Sequence, residues 1–393
     1  MRIEARQITG VLALVTSFAP LACAGSVQGT HRATDAPPAS SGPTAAPNAV
    51  APQVASAPQA SAAPATVVPD SVASAPSPAP RPSTIALGDG ELAAGDGAFE
   101  KQDFAEAQRH YEAAPAGAAR MVGLARVRIA RVQAPLDYGA ARGNAEVRAS
   151  ETDLARAARA APGLGPAFVE LGRARLLLGD ASGAIEALRN GVRLLPQEPE
   201  AHSQLGVALL ATGHAADAVL ELARAAELDP GSGPRHGNLG TALMMAGRTK
   251  DAIVEYETRV RIDDADSRAH SDLGTALLGT QDLPRALSEL ERAVQLDPVR
   301  AVFHSNLGYA LQQLGRIDRA VAEYRQALKL DPNLVSAWIN LATALARDPK
   351  TRAEAHAALA RAKALSSDDP RVKANIDELD ALEKTRAPPA ERP

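Results

Sequence analysis

The sequence predicts an all-α fold, a solenoid of stacked helical hairpins, and three observations carry that prediction. Prolines stand at 162, 196, 230, 298 and 332, and Asp264 fills the one missing place in a strict 34-residue series. Inside each period Leu171, Leu205, Leu239, Leu273, Leu307 and Leu341 recur in register, followed by Gly172, Gly206, Gly240, Gly274, Gly308 and Ala342. Each period also holds two runs with apolar residues at i, i+3, i+4 and i+7, split by turn signals such as Gly179-Asp180, Gly213, Gly247-Arg248 and Gly315-Arg316. One period is therefore one helical hairpin, and a hairpin that cannot bury its apolar face alone must stack on its neighbours.

Taken from the start, the chain opens with Arg2 and Arg6 before an apolar run from Ile8 to Leu21 that ends in the small residues Ala22-Cys23-Ala24. That is the layout of a signal peptide over 1–24, and the run falls short of the roughly 20 apolar residues that cross a bilayer. Pro20-Leu21-Ala22-Cys23 resembles the lipobox of bacterial lipoproteins, which would make Cys23 the lipidated N-terminus. Ala22-Cys23-Ala24 equally fits an ordinary secretory cut, and both outcomes stay open. Residues 25–86 hold twelve prolines, no aromatic residue and only Arg32, Asp35, Asp70 and Arg81 as charges, which predicts a disordered spacer.

Residues 87–164 fit two divergent hairpins. Gly95, Phe104, Ala107, Tyr111 and Ala114 belong to the first, and Gly123 opens a second whose turn is lengthened around Pro135-Leu136-Asp137-Tyr138. Six regular units follow at 165–198, 199–232, 233–266, 267–300, 301–334 and 335–368. In the last, a one-residue slip at Asp348-Pro349-Lys350 brings Ala355, Leu359 and Ala362 to the second-helix places. Residues 369–393 are a polar capping helix, expected over 371–385, and a tail, needed because the last hairpin would otherwise expose its apolar face. Arg259 stands where a small residue belongs and predicts looser packing in 233–266.

The Leu-Gly pair, the later Ala184, Ala218, Ala252, Ala286 and Ala320, then Leu188, Leu222, Tyr256, Leu290 and Tyr324, and the closing proline together resemble the tetratricopeptide family. The resemblance implies a right-handed superhelix of about eight helix-turn-helix repeats whose first helices line a concave groove. With place one at Gly165, Pro199, Gly233, Ser267, Ala301 and Val335, place six holds Glu170, Gln204, Asn238, Asp272, Asn306 and Asn340. This column resembles the asparagine ladder in the repeat domain of the O-linked N-acetylglucosamine transferases, where amides hold the backbone of an extended peptide. An amide offers donor and acceptor together, which suits sequence-tolerant backbone recognition. Polar filling of a solvated face is the competing explanation. Tyr309, at place nine, joins the expected groove. The same family's carboxylate clamp of Lys and Asn is not supported by place five (Val169, Ser203, Gly237, Ser271, Ser305, Ile339).

Other chemistries find little support. The 393 residues carry a net charge of −4, which argues against nucleic-acid binding. His202, His236, His270 and His304 recur at place four, where Phe168 and Trp338 stand in flanking units. First helices roughly 8–10 Å apart keep adjacent histidines from sharing a metal with ligands at about 2.0–2.1 Å, so packing is expected and no metal. Asp263, Asp264 and Asp266 lack the glycine and closing glutamate of a calcium loop, and no phosphate-binding or hydrolase motif occurs. The expectation is a non-catalytic scaffold without cofactor, taking a protein or peptide in its groove and meeting a membrane only through an N-terminal lipid. Its expected setting is the bacterial envelope, as an outer-membrane lipoprotein facing the periplasm or as a soluble periplasmic protein. A structural or self-associating envelope module, or an adaptor of a cell-wall or polysaccharide enzyme, would look alike in sequence.

Overall fold

The computed structural model describes residues 85–132 and 139–384. The signal segment, Cys23 and residues 25–84 lie outside the described residues, as do 133–138 of the insertion. The chain divides into Met1–Ala65 and Thr66–Pro393, and everything described belongs to the second unit.

Seventeen helices and no strand are found among the described residues. They pair as hairpins: α1 (Glu91–Glu100) with α2 (Phe104–Ala113), α3 (Ala118–Ala130) with α4 (Ala145–Ala160), and α5 (Gly165–Leu178) with α6 (Ala181–Leu194). Next come α7 (Pro199–Ala211) with α8 (Ala215–Leu228), α9 (Gly233–Met245) with α10 (Thr249–Ile262), and α11 (Ser267–Gly279) with α12 (Leu283–Leu296). The last pairs are α13 (Ala301–Gln313) with α14 (Ile317–Leu330) and α15 (Val335–Ala346) with α16 (Arg352–Leu365), closed by α17 (Pro370–Lys384). Eight hairpins and a cap form the α-solenoid. Each second helix packs on the next first helix, and the first helices α5, α7, α9, α11, α13 and α15 also meet in succession. Consecutive second helices do not meet to a comparable extent, which makes the first helices the inner layer.

The turns explain why the chain reverses where it does. The residue at place fifteen takes a left-handed conformation in Gly179, Gly213, Gly247 and Gly315, with φ between 72° and 81°. Glycine does this without a Cβ penalty. At place sixteen the Asp103, Asp180 and Asp282 carboxylates accept N–H bonds from Glu106, Gly183 and Arg285, capping the second helices. The small residue at place eight admits the large one at place twenty-four. A Cβ on Gly240 would lie 2.6 Å from Tyr256 Cε1, so the helices could not approach as they do. Ala355, Leu359 and Ala362 are buried in α16, and α17 covers the final face through Val372 and Leu379.

Three expectations need correction. Ile85 and Leu87 are both buried, so the folded body begins before 87. Helix α2 has 10 residues where α6 has 14, so α3 starts four residues early and Gly123 falls at place six, with Leu124-Ala125 in the Leu-Gly places. Arg259 does not loosen its unit: it is 3% exposed, and its guanidinium fills the space left by Gly237, whose added Cβ would lie 2.6 Å from Arg259 Nη1.

Candidate functional site: the inner face of the first helices

The residues expected to line the groove stand on consecutive first helices. Glu170, Gln204, Asn238, Asn306 and Asn340 are buried, while Asp272 and Tyr309 are half-buried. The column is therefore no solvated face of polar filling. Asn306 Nδ2 lies 3.5 Å from both Ser271 Oγ and Thr275 Oγ1 of α11, joining place six of one hairpin to places five and nine of the one before.

In the first hairpins the same geometry is ionic. Arg126, at place nine of α3, is 1% exposed and donates from Nε to Glu170 Oε1 at 2.8 Å and from Nη1 to Asp96 Oδ1 at 2.9 Å. Tyr111 donates its hydroxyl to the same Asp96 oxygen at 2.6 Å. Further along, Gln204 Nε2 donates to Glu200 Oε1 at 2.7 Å, and Arg235 reaches Glu200 Oε2 at 3.5 Å and Asp229 Oδ2 at 3.0 Å. Burial raises the Glu200 carboxyl above the ordinary carboxylate range against the lowering effects of Gln204 and Arg235. Asp272 accepts from Arg259 Nη1 at 2.9 Å, and burial outweighs that cation and pushes its carboxyl up to about 6. Burial likewise raises the Tyr309 phenol.

Three buried side-chain atoms among the described residues have no hydrogen-bond partner: Glu170 Oε2, Asn238 Nδ2 and Asn238 Oδ1. All three belong to place six. Place nine of α7 is Val207, which has no polar atom to meet Asn238, where α11 supplies Thr275 to Asn306; Ser203, at the place of Ser271, makes no bond to Asn238 either. Native structures leave few such groups unpaired, and each costs stability; Glu170 Oε2 does face Arg173 Nη1 at 3.7 Å.

One non-helical segment already contacts this face. Ile85 and Leu87 precede α1 without helical structure. Arg126 Nη2 donates to the Ile85 carbonyl at 3.1 Å, and the Leu87 N–H donates to Asp96 Oδ2 at 2.8 Å. Two side chains at place nine thus hold two backbone groups of the segment that precedes α1.

The repeating histidines face away from that task. His202, His236, His270 and His304 bring Nδ1 to within 2.6–2.7 Å of Glu221, Glu255, Glu289 and Glu323 on their own second helices. Nε2 of each meets the carbonyl of Pro196, Pro230, Asp264 or Pro298 at 3.0–3.1 Å. Trp338 Nε1 donates to Pro332 O in the same way at 2.9 Å. Both nitrogens therefore face acceptors, an arrangement that the doubly protonated imidazolium satisfies. The glutamate bond raises His202, His236 and His304 above their ordinary value. In the first hairpin the pair is inverted, with Glu91 Oε2 on His110 Nδ1 at 2.7 Å. No group of three potential ligands that could hold a metal occurs among the described residues. Asp266 caps α11 and bonds Arg259, a structural task that accounts for it.

Sequence reasoning missed Asp96 and Arg126, whose alignment needed the four-residue shift of α3. It also missed the glutamates, although Glu221, Glu255, Glu289 and Glu323 keep the 34-residue period and could have been found by it.

Comparison with known proteins agrees with this architecture. Two family models, each described as tetratricopeptide repeat, match residues 175–242 and 209–277, and 271–334 and 305–370. No curated protein matches the sequence significantly. The APC/C hetero-tetramer Cut9–Hcn1 structure aligns with a TM-score of 0.54 at 17% identity, over 74% of this chain and 55% of that one. MamA 41-end from Desulfovibrio magneticus RS-1 is 24% identical over 43% of this chain and 96% of its own, with a TM-score of 0.41. YrrB, described as a TPR protein with an unusual peptide-binding site, is 20% identical over 49% of this chain and 99% of its own, with a TM-score of 0.39. Tetratricopeptide proteins generally mediate protein–protein interaction, and theirs is typically a non-catalytic scaffold.

Proposed function

We propose that the tetratricopeptide repeats of residues 175–370 make this chain a non-catalytic binding scaffold that takes an extended peptide, or an extended segment of a partner protein, along its inner face. The observation that carries this is the unsatisfied place-six chemistry: Asn238 holds a donor and an acceptor with no hydrogen-bond partner, and Glu170 Oε2, which faces Arg173 Nη1 at 3.7 Å, accepts no hydrogen bond. A peptide backbone has both kinds of group at each non-proline residue and would satisfy them. The setting we infer is the cell envelope, on the strength of Arg2, Arg6, the apolar run and the lipobox-like Pro20-Leu21-Ala22-Cys23. Those residues lie outside the described part. Lipidation at Cys23 would carry the scaffold on a membrane, and cleavage without lipid would release it into the periplasm. Adaptor work for an envelope assembly fits either outcome.

Asn238→Ala separates binding from structure. A buried amide without partners is a liability to the fold, so its removal is expected to raise Tm, by about 1–3 kcal/mol of stability if the full desolvation cost is recovered. Capture of crosslinked or co-purified partners should fall in the same variant, and further in Asn238→Ala, Asn306→Ala, Asn340→Ala combined. Unchanged capture of every partner by the triple variant would remove the inner face from the function.

Self-association is the second reading, and the outer face favours it. Leu220 and Val254, 70% and 56% exposed, stand at place twenty-two of α8 and α10 in adjacent hairpins. Light scattering on the chain and on Leu220→Ser with Val254→Ser tests it; a monomer at high concentration excludes it.

A further inference from the structure

Place four of the first helices holds four copies of one arrangement that the inner face does not use. His202, His236, His270 and His304 each tie three elements together. In α7 the ring of His202 reaches back through Nε2 to the carbonyl of Pro196, in the turn that enters the hairpin, and across through Nδ1 to Glu221 on α8. His236, His270 and His304 repeat both arms in the next three hairpins.

Each ring thus lies between two acceptors, the carboxylate at 2.6–2.7 Å and the carbonyl at 3.0–3.1 Å. Only the imidazolium donates to both, because a neutral ring has one N–H. Whichever tautomer forms, a ring lone pair then points at an oxygen, and that arm must open. The four glutamate side chains are 23–27% exposed, so water reaches the clasps and can take a proton from them. The charged neighbours are few. Arg224 of α8 acts on His202 and Arg261 of α10 on His236, each opposing the positive ring, and His304 has Glu323 alone. His270 also has the Asp264 carboxylate 3.6 Å from Nε2, itself 3.6 Å from Arg292 of α12. No other acidic side chain among the described residues comes within ion-pair distance of these rings.

We propose that the four histidine clasps are a proton-operated stiffener of the middle of the solenoid. Protonated, each locks the turn that enters a hairpin to the second helix of that hairpin. Loss of one proton per ring releases one arm in four consecutive hairpins, so the seating of α7, α9, α11 and α13 loosens as pH rises. The flanking hairpins supply internal controls. Phe168 stands at place four of α5 without either arm, and Trp338 of α15 keeps the carbonyl arm through an indole N–H that does not titrate.

The test is amide hydrogen exchange by mass spectrometry on the full chain, in steps from pH 6 to pH 9, with labelling times corrected for the intrinsic pH dependence of exchange. Glutamate bonds raise His202, His236 and His304 above 6.5, so protection of their turns is full below that value and is lost as pH climbs through the folded values. Peptides over 196–203, 230–237, 264–271 and 298–305 should exchange about two- to tenfold faster at the upper end, the effect of one hydrogen bond. Peptides over 162–169 and 332–339 should not change. Glu255→Gln removes the largest cause of the raised value at His236, so the step of 230–237 alone should move to lower pH. His236→Trp, which copies Trp338, should abolish that step. A pH response that is absent, or equal in the control turns, overturns the proposal, as does a step in 230–237 that Glu255→Gln leaves in place.

Discussion

At the amino-terminal end of the inner face, place six meets the preceding place nine as Glu170 on Arg126 at 2.8 Å, with both side chains nearly inaccessible. Nearer the carboxy-terminal end the same two places hold Asn306 and Thr275 at 3.5 Å. The backbone geometry is shared and the chemistry is not. Buried ions are costly to remove from water and become tolerable only when every partner is present, so the charged end is intolerant of change and fixed in register. Neutral amides and hydroxyls lose less than ions when a neighbour changes, so the other end is the more permissive. Between them lies Asn238, an amide like those downstream, set against an apolar Val207.

The largest expected effect breaks the ionic end. Arg126→Ala strips Asp96 and Glu170 of a shared cation and leaves both buried, at a cost of about 3–5 kcal/mol. In a linear array, loss of an interface is felt locally. The first two hairpins should therefore exchange amide hydrogens over 91–130 while α9 to α16 stay protected. Asn306→Ala, the equivalent lesion at the other end, should cost only about 0.5–1.5 kcal/mol. Equal costs at the two ends would erase the distinction.

A smaller effect follows from pH. His202, His236 and His304 are raised in the folded state by their glutamate bonds, against an ordinary value of 6.5. A base raised on folding contributes stability that is fully present below 6.5 and lost as pH climbs through the folded value. Asp272, up at about 6 from 3.8 through burial, acts in the same direction at lower pH: folding favours its neutral form, so stability declines between those values. Tm should fall from pH 6 to pH 8 in a step that replacement of the three histidines by glutamine abolishes. Asp272→Asn should leave that step in place and flatten the limb below it.

These two regions also differ in how visible they are from sequence. The 34-residue period, the Leu-Gly pairs and the capping helix are legible because each hairpin repeats one solution to one packing problem, and periodicity reports it. The amide column was legible for the same reason. Its burial was not, because nothing in a polar residue's identity says how closely the next first helix approaches. Arg126 bonds Glu170 across 44 residues that contain a shortened α2 and the insertion, so no fixed spacing pointed to it. Arg259 was misjudged because its volume was weighed against its own place and not against Gly237, on the facing helix, which makes room for it.

The smallest predicted effect goes to the junction of the two regions. If Asn238 lacks partners only because Val207 stands where Thr275 stands for Asn306, then Val207→Thr supplies a hydroxyl of nearly the same volume in the right register. Half-burial of Val207 limits what the extra hydroxyl costs in desolvation. A new hydrogen bond there is worth about 0.5–1.5 kcal/mol, enough to raise Tm measurably, and it competes with any peptide group for the same amide. Partner capture should therefore weaken while stability rises, as for Asn238→Ala but by the opposite chemical route, satisfaction instead of removal. Equal capture by Val207→Thr and the native chain, with Tm raised, would show that the amide's vacancy is a structural accident and not the socket of a ligand.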